Sequence, residues 1–336
     1  MHIPDNYLSP LSCSVTAGVA APVLAYSVKK VKEAVRDNRE MAPMLGVASS
    51  LSFLMMMFNV PVPGGTTAHA VGSVLLAILM GPYAASISVS VALILQAFLF
   101  GDGGILALGA NILNMAIIMP FAGYAIYRFF QKRNLWTIGV IISSYVGLNL
   151  AALATAIELG IQPILFNDGG VALYNPYGLS VTIPAMMFTH LAVAGFVEAF
   201  FTLVIFKFVK RISPEKIQGP VMEDKKQGHS IVTKLRYFII FLLILTPLGL
   251  LAEGTAFGEW SNEELLEILN KTNPGALLPK GLERGFEFNS IFPDYTIHNT
   301  NLSIGYILSA VTAILIFFIL GKIIQTVIQS KSKTNV

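Results

Sequence analysis

LWTIGVIISSYVGLNLAALATAIEL, residues 135–159, holds one charged side chain, Glu158, in a run long enough that a helix at ~1.5 Å per residue crosses the ~30 Å hydrocarbon core of a bilayer. Comparable runs lie at 11–31, 41–59, 66–81, 83–100, 105–127, 181–207, 236–256 and 302–325, nine in all, with Gly81-Pro82 parting two short ones. The composition agrees: 54% hydrophobic, 12% charged and a mean hydropathy of +0.69 leave too little polar surface for a water-soluble domain. The expected fold is all-α, a polytopic transmembrane helical bundle of about nine spans.

Charge gives the orientation. Of 22 Lys and Arg, 19 lie at 29–39, 128–133, 207–236 and 322–333, and only Lys271, Lys280 and Arg284 fall elsewhere. Cytoplasmic loops are enriched in these residues, so nine spans in the cell membrane place the N-terminus outside and the C-terminus in the cytoplasm. The loops 60–65, 101–104, 160–180 and 257–301 then face outward. The N-terminus lacks a basic region and a small-residue cleavage site, so Met1 is expected to survive. The charged stretch Lys210–Lys234 divides the chain. We read a seven-span body at 1–210, a cytoplasmic linker at 211–235 and a two-span module at 236–336, whose outside loop contains a Glu-rich stretch, Glu259–Glu267, with helical spacing. No internal repeat or low-complexity tract is evident.

The chain starts Met1-His2-Ile-Pro-Asp5. The Met1 amine and the His2 amide nitrogen close one small ring around a metal, the His2 imidazole closes a second, and a distant His supplies a fourth nitrogen. Such a planar set suits Ni(II), Cu(II) or low-spin Co. The single Cys13 excludes a thiolate cluster and an internal disulfide. The loop Asn59-Val-Pro-Val-Pro-Gly-Gly-Thr-Thr-Ala-His69 offers the partner: Thr66 or Thr67 is expected to cap a helix, with His69 in its first turn on the side of the N-terminus.

Other polar residues keep two readings each. Gly101-Asp102-Gly103-Gly104 lacks the spaced oxygens of a Ca loop and the Lys-Ser/Thr of a phosphate loop, and no second membrane Asp exists for an intramembrane protease. It is either a tight outside turn or a carboxylate that orients a metal-bound imidazole. Asn111 and Asn114, at i,i+3, and Gln96 either glue helices or line a pocket around the ion. His190 and Glu198 share a face of the seventh span, and ionisable groups inside a membrane point to function. Glu198 is too deep to ligate and is read as pairing within the bundle or responding to coupling. Glu158 and Asp168 are expected to be solvated. His229 and His298 are lone loop residues. The small residues Ala84, Ala85, Ser86, Ser88 and Ser90 suit close packing by a partner helix.

Taken together these residues resemble the CbiM/NikM family of substrate-capture components of energy-coupling-factor importers for cobalt and nickel. The resemblance rests on Met1–Asp5, on Pro61–His69, on the run Gln96–Met115, and on His190 and Glu198. It implies that the Met1 amine, the His2 amide and imidazole and His69 hold the ion, so the tail is expected to add no primary ligand. Pro279-Lys-Gly-Leu-Glu283 followed by Pro293-Asp-Tyr295 resembles the PDGLE element of the small N component, with Lys280 in place of its Asp. The family further implies Co(II) or Ni(II) as transported substrate with no permanently bound cofactor. Implied partners are a transmembrane coupling component and ATP-binding subunits, alongside membrane lipid and no nucleic acid. The chain itself carries no nucleotide-binding loop and is expected not to be an enzyme. An ATP-independent divalent-metal channel or symporter is the alternative, and an integral membrane metalloenzyme lacks a base–nucleophile arrangement.

Overall fold

The computed structural model describes residues 1–38, 40–63, 66–212, 228–252 and 254–333. Gly64 and Gly65 of the His69 loop, residues 213–227 of the linker and the side chain of His229 lie outside the described residues.

Among the described residues, six helices are long and apolar enough to cross a membrane: α1 (Pro10–Asp37), α4 (Pro82–Phe100), α5 (Leu108–Gln131), α6 (Trp136–Leu165), α7 (Leu179–Arg211) and α10 (Leu302–Val327). Two shorter apolar helices, α2 (Met41–Met57) and α8 (Leu235–Leu251), join them. An eight-residue helix α3 (Ser73–Met80) and the polar helix α9 (Asn262–Thr272) complete the helices that matter below. Large apolar side chains left exposed along the helices, such as Leu11, Val15 and Val19 of α1 or Phe196 and Phe200 of α7, have hydrocarbon as their solvent.

Helix α2 is the exception, buried almost all round. Its small residues explain how. A Cβ at Gly46 would stand 2.7 Å from the Phe317 carbonyl oxygen, so only glycine lets α10 of the tail lie against α2. The tail is thereby packed into the bundle. The small residues of α4 do similar work: Ala84, Ala85, Ser86, Ser88 and Ser90 are all buried inside the bundle. They are spent on internal packing and leave no face there for a partner helix.

The predicted third span, 66–81, differs most from expectation. Its first residues form a strand, β2 (Thr66–His69), paired antiparallel with β1 (Asn59–Val62) so that His69 stands opposite Asn59. No helix begins at Thr66 or Thr67. The chain continues without regular structure through Ala70 and Val71, turns at Gly72 (φ +77°), and only then enters α3, which at ~1.5 Å per residue is about 12 Å long. Non-helical backbone at this depth needs internal partners, and it has them. The Glu198 carboxylate on α7 accepts the N–H of Val71 at 2.7 Å and of Gly72 at 3.1 Å, and the Ser52 hydroxyl donates to the Val71 carbonyl at 2.8 Å.

Among the described residues, π-helical turns interrupt the long helices at Gln96–Phe100 in α4, Ile112–Ile118 in α5 and His190–Ala194 in α7. A π turn adds a residue and rotates the side chains beyond it about the helix axis. That is why Asn111 and Asn114 do not act on one face: Asn111 bonds Ile3, whereas Asn114 donates to Thr155 at 3.1 Å and Glu158 at 2.6 Å on α6. Glu158 is accordingly half-buried and bonded rather than solvated.

Candidate functional site: the N-terminus under two loops

The first nine residues thread between the body and the tail. Ser9 caps α1 by accepting the Ser12 N–H, and Pro10 sits in the first turn, where its missing N–H costs nothing. Upstream, Asn111 grips Ile3 from both sides, accepting its N–H at 2.8 Å and donating to its carbonyl at 3.1 Å. The Gly104 N–H reaches the same carbonyl at 2.8 Å. Asp5 in turn accepts the N–H groups of Ile105 and Leu106 at 3.0 and 2.7 Å. Glycine is required at 104 because a Cβ there would stand 2.4 Å from the Asp5 nitrogen.

The tail loop closes over this segment. Tyr7 donates to the Trp260 carbonyl at 2.8 Å, and Asn6 exchanges two bonds with the Phe286 backbone at 2.9 and 2.8 Å. Thr66, at the start of β2, donates to Thr255 at 3.1 Å. Beneath these contacts Met1, His2 and His69 are 4%, 3% and 5% exposed, so the site is shut off from bulk water.

Inside, the His2 and His69 rings stack with centroids 5.1 Å apart. The Met1 amine donates to Glu259 at 2.8 Å. His2 Nδ1 faces Asp102 Oδ1 at 3.1 Å, and His69 Nδ1 bonds the Ala70 carbonyl at 3.1 Å. The carbonyl can only accept, so His69 carries its proton on Nδ1, and the carboxylate favours the same for His2. Both Nε2 atoms are buried without a hydrogen-bond partner. Asp102 is itself held by Tyr295 of the tail, whose hydroxyl donates to it, and by Gln96, whose amide donates at 3.0 Å to Asp102 and to Tyr295. Tyr295 stacks on Phe100 with centroids 4.8 Å apart.

Electrostatics follow from burial. Desolvation, then the Met1 charge, lowers both imidazoles from 6.5 to about 4, so both are neutral at physiological pH. Burial pushes the Asp102 carboxyl up, with the Glu259 charge adding to it. Burial also disfavours charge on Glu259, but the ammonium of Met1, with His2 and His69, outweighs it and holds Glu259 at about 2.

The structure thus gathers Met1, His2, His69, Asp102, Gln96 and Asn111 in one place. It takes Asn114 to α6 and Glu198 to the third crossing. His190 is buried and bonds the Met186 carbonyl at 2.7 Å on its own helix, and it is not among the residues whose ligand atoms cluster. His298 is exposed. Among the described residues, the group that could hold a metal is His2, His69 and Glu259, with one ligand atom of each within 4.8 Å of the others. Sequence reasoning assigned Glu259 to a helical Glu run. A signal to the contrary was present: Ser261-Asn-Glu-Glu264 is a capping box, which starts α9 at Asn262 and leaves Glu259 in the loop before it. Lys280, the departure from the PDGLE element, pairs at 2.8 Å with Asp168 on the body's β3 (Asn167–Asp168), an exposed ion pair.

Residues 2–216 match the family described as cobalt uptake substrate-specific transmembrane region, CbiM, and residues 233–330 match the PDGLE domain. The chain is 52% identical to the probable fused nickel transport protein LarMN of Lactiplantibacillus plantarum, over 97% of this chain and 98% of that protein. It is 40% identical to the fused nickel transport protein NikMN of Rhodobacter capsulatus, covering 94% of each. The crystal structure of a transition metal transporter, 53% identical, superposes with a TM-score of 0.61 over 65% of this chain and 96% of that one.

Proposed function

From membership of the CbiM family, to which this chain belongs with a PDGLE domain at its C-terminal end, we propose that it is the substrate-specific membrane component of an ATP-driven energy-coupling-factor importer for Ni(II) or Co(II). The observation that carries the reading is the convergence of Met1 and His2 with His69, from segments more than sixty residues apart, in a pocket closed to water. The proposed ligands are the Met1 amine, the His2 amide and Nδ1, and His69 Nε2. Closing that plane requires the Met1 ammonium to leave Glu259 and lose a proton, the His2 amide to lose its proton, and the His2 ring to turn away from Asp102, so binding releases protons. Four nitrogens in a plane favour Ni(II), in keeping with the names of the two full-length relatives.

Asp102, supported by Gln96 and Tyr295, orients the His2 ring, and Asn111 fixes the segment that carries it. The N-terminus lies outside the cell membrane and the C-terminus inside. The ion enters at the site under the tail loop and leaves to the cytoplasm when a transmembrane coupling component, driven by ATP-binding subunits, acts on the bundle. The body is 1–210, joined by 211–235 to the module 236–336. Metal uptake by cells expressing this chain with and without the coupling and ATP-binding subunits tests the energy source. Equal uptake in both would overturn it in favour of a channel or symporter. Residue assignment is tested separately: one residue added before Met1 displaces the amine, and undiminished Ni(II) binding by that protein would refute the chelate.

A further inference from the structure

The planar chelate uses one nitrogen of His2 and leaves two features of the pocket without a role. The first is the buried, unpartnered Nε2 of His2, whose ring stacks on that of His69; the Nε2 of His69 is equally unpartnered but is taken by the chelate. A buried polar atom without a partner is destabilising, so the Nε2 of His2 calls for a reason. The second is Glu259, a tail carboxylate brought to the same point. Each imidazole is set as metal-binding histidines usually are, with Nδ1–H directed to a carboxylate or a backbone carbonyl and Nε2 presented to the ion.

We infer that His2 Nε2, His69 Nε2 and the Glu259 carboxylate form a second, non-planar ligand set that takes the divalent ion before the planar chelate closes. The inference rests on the metal-capture reading above and adds the tail as a ligand donor. Ligand atoms at the ~2.0–2.2 Å bonds of a tetrahedral centre stand somewhat over 3 Å apart, so a ring nitrogen of each histidine and a Glu259 oxygen within 4.8 Å of one another close on an ion by side-chain rotations. An ion that takes Glu259 removes the carboxylate from the Met1 ammonium, which beside the cation gives up a proton to solvent and so frees that nitrogen for the chelate. The His2 ring then turns from Nε2 to Nδ1 ligation as Asp102 gives it up, its proton moving from Nδ1 to Nε2. Loading and final binding thus share His2 and His69 and differ in Glu259.

Zn(II) separates the two sets, since it has no planar preference and takes tetrahedral N/O or S coordination. With the full chain in detergent, Glu259→Gln is expected to weaken Zn(II) binding by roughly 100-fold, at least the loss seen when a residue supporting a ligand is removed, while equilibrium Ni(II) affinity falls less than tenfold. Glu259→Cys gives a direct reading: a sulfur ligand at ~2.3 Å in the zinc X-ray absorption spectrum and a thiolate-to-cobalt absorption band with Co(II). Unchanged Zn(II) affinity in Glu259→Gln, or zinc in Glu259→Cys bound by N and O alone, overturns the inference while leaving the chelate intact. Failure of the native chain to bind Ni(II) at all would instead overturn the reading it rests on.

Discussion

Replacing Asn111 by alanine removes the clamp on Ile3 without touching a proposed ligand. The bond from the Ile3 N–H, at 2.8 Å, is lost, and that donor is left buried without a partner, since Ile3 is fully buried. The Ile3 carbonyl keeps the Gly104 N–H at 2.8 Å, so it is not orphaned. The net penalty is therefore that of one stranded N–H and one lost bond, about 2–3 kcal/mol against the docked N-terminus. If metal binds only the docked form, apparent Kd rises as the docked fraction falls, by up to roughly 30–150-fold. Isothermal titration of Ni(II) into the purified full chain measures this, with hydrogen exchange across residues 2–8 reporting docking. Asn114→Ala is the matched control: it breaks the bonds to Thr155 and Glu158, which lowers stability but leaves the first nine residues in place. Asn111→Ala with Ni(II) affinity within twofold of native, in a folded protein, would refute the clamp.

Gly104→Ala drives a Cβ into the Asp5 backbone and is expected to release the same segment, seen as faster exchange at residues 2–8 with the helices still protected. His69→Ala is expected to cost orders of magnitude in Ni(II) affinity while the exposed His298→Ala costs none, so equal effects in titration would sink the assignment. Glu198→Ala strands the N–H groups of Val71 and Gly72 at about 1–3 kcal/mol each. It is expected to lower the thermal midpoint and loosen the His69 hairpin, and an unchanged midpoint would argue against the role given to it. The two imidazoles lie at about 4 when docked and near 6.5 when free. Docking is therefore at full strength above pH 6.5 and weakens as pH falls from 6.5 through 4. Constant exchange protection of residues 2–8 across that window would contradict the burial argument.

The membrane fold was legible because hydrocarbon demands long apolar runs, and nearly all the predicted runs are helices. The third crossing was not, since its run of apolar residues looks the same whether it is helix or strand plus short helix. What decides it is Glu198, more than a hundred residues away, whose carboxylate accepts the backbone bonds that a helix would have made for itself. His69 was singled out from its loop and its expected side of the membrane, and its ring does meet that of His2, although its place at the end of a strand was not foreseen. Asn111 and Asn114 show the limit of periodicity: i,i+3 spacing puts two residues on one face only if the helix between them is regular, and a π turn begins at Ile112.

The two modules are written in separate halves of the sequence, yet the polar centre is shared between them. Asp102 belongs to the body and would carry an isolated, half-buried charge next to a neutral imidazole. Tyr295, from the Pro-Asp-Tyr turn of the tail, supplies a donor to it, with Gln96 donating to both. Reaching that position costs the turn two residues at positive φ, Asp294 (+50°) and Tyr295 (+59°), a strain that persists only where surrounding contacts hold it. Tyr295 has those contacts, packed against Phe100, Phe53 and Tyr306. The Lys280 substitution follows the same logic at the rim, where the body offers Asp168 to the new cation. A tail that only spanned the membrane would need neither the strained turn nor Glu259 at the amine. Their presence makes the tail a wall of the pocket, so the body's histidines are oriented in part by residues the body does not encode.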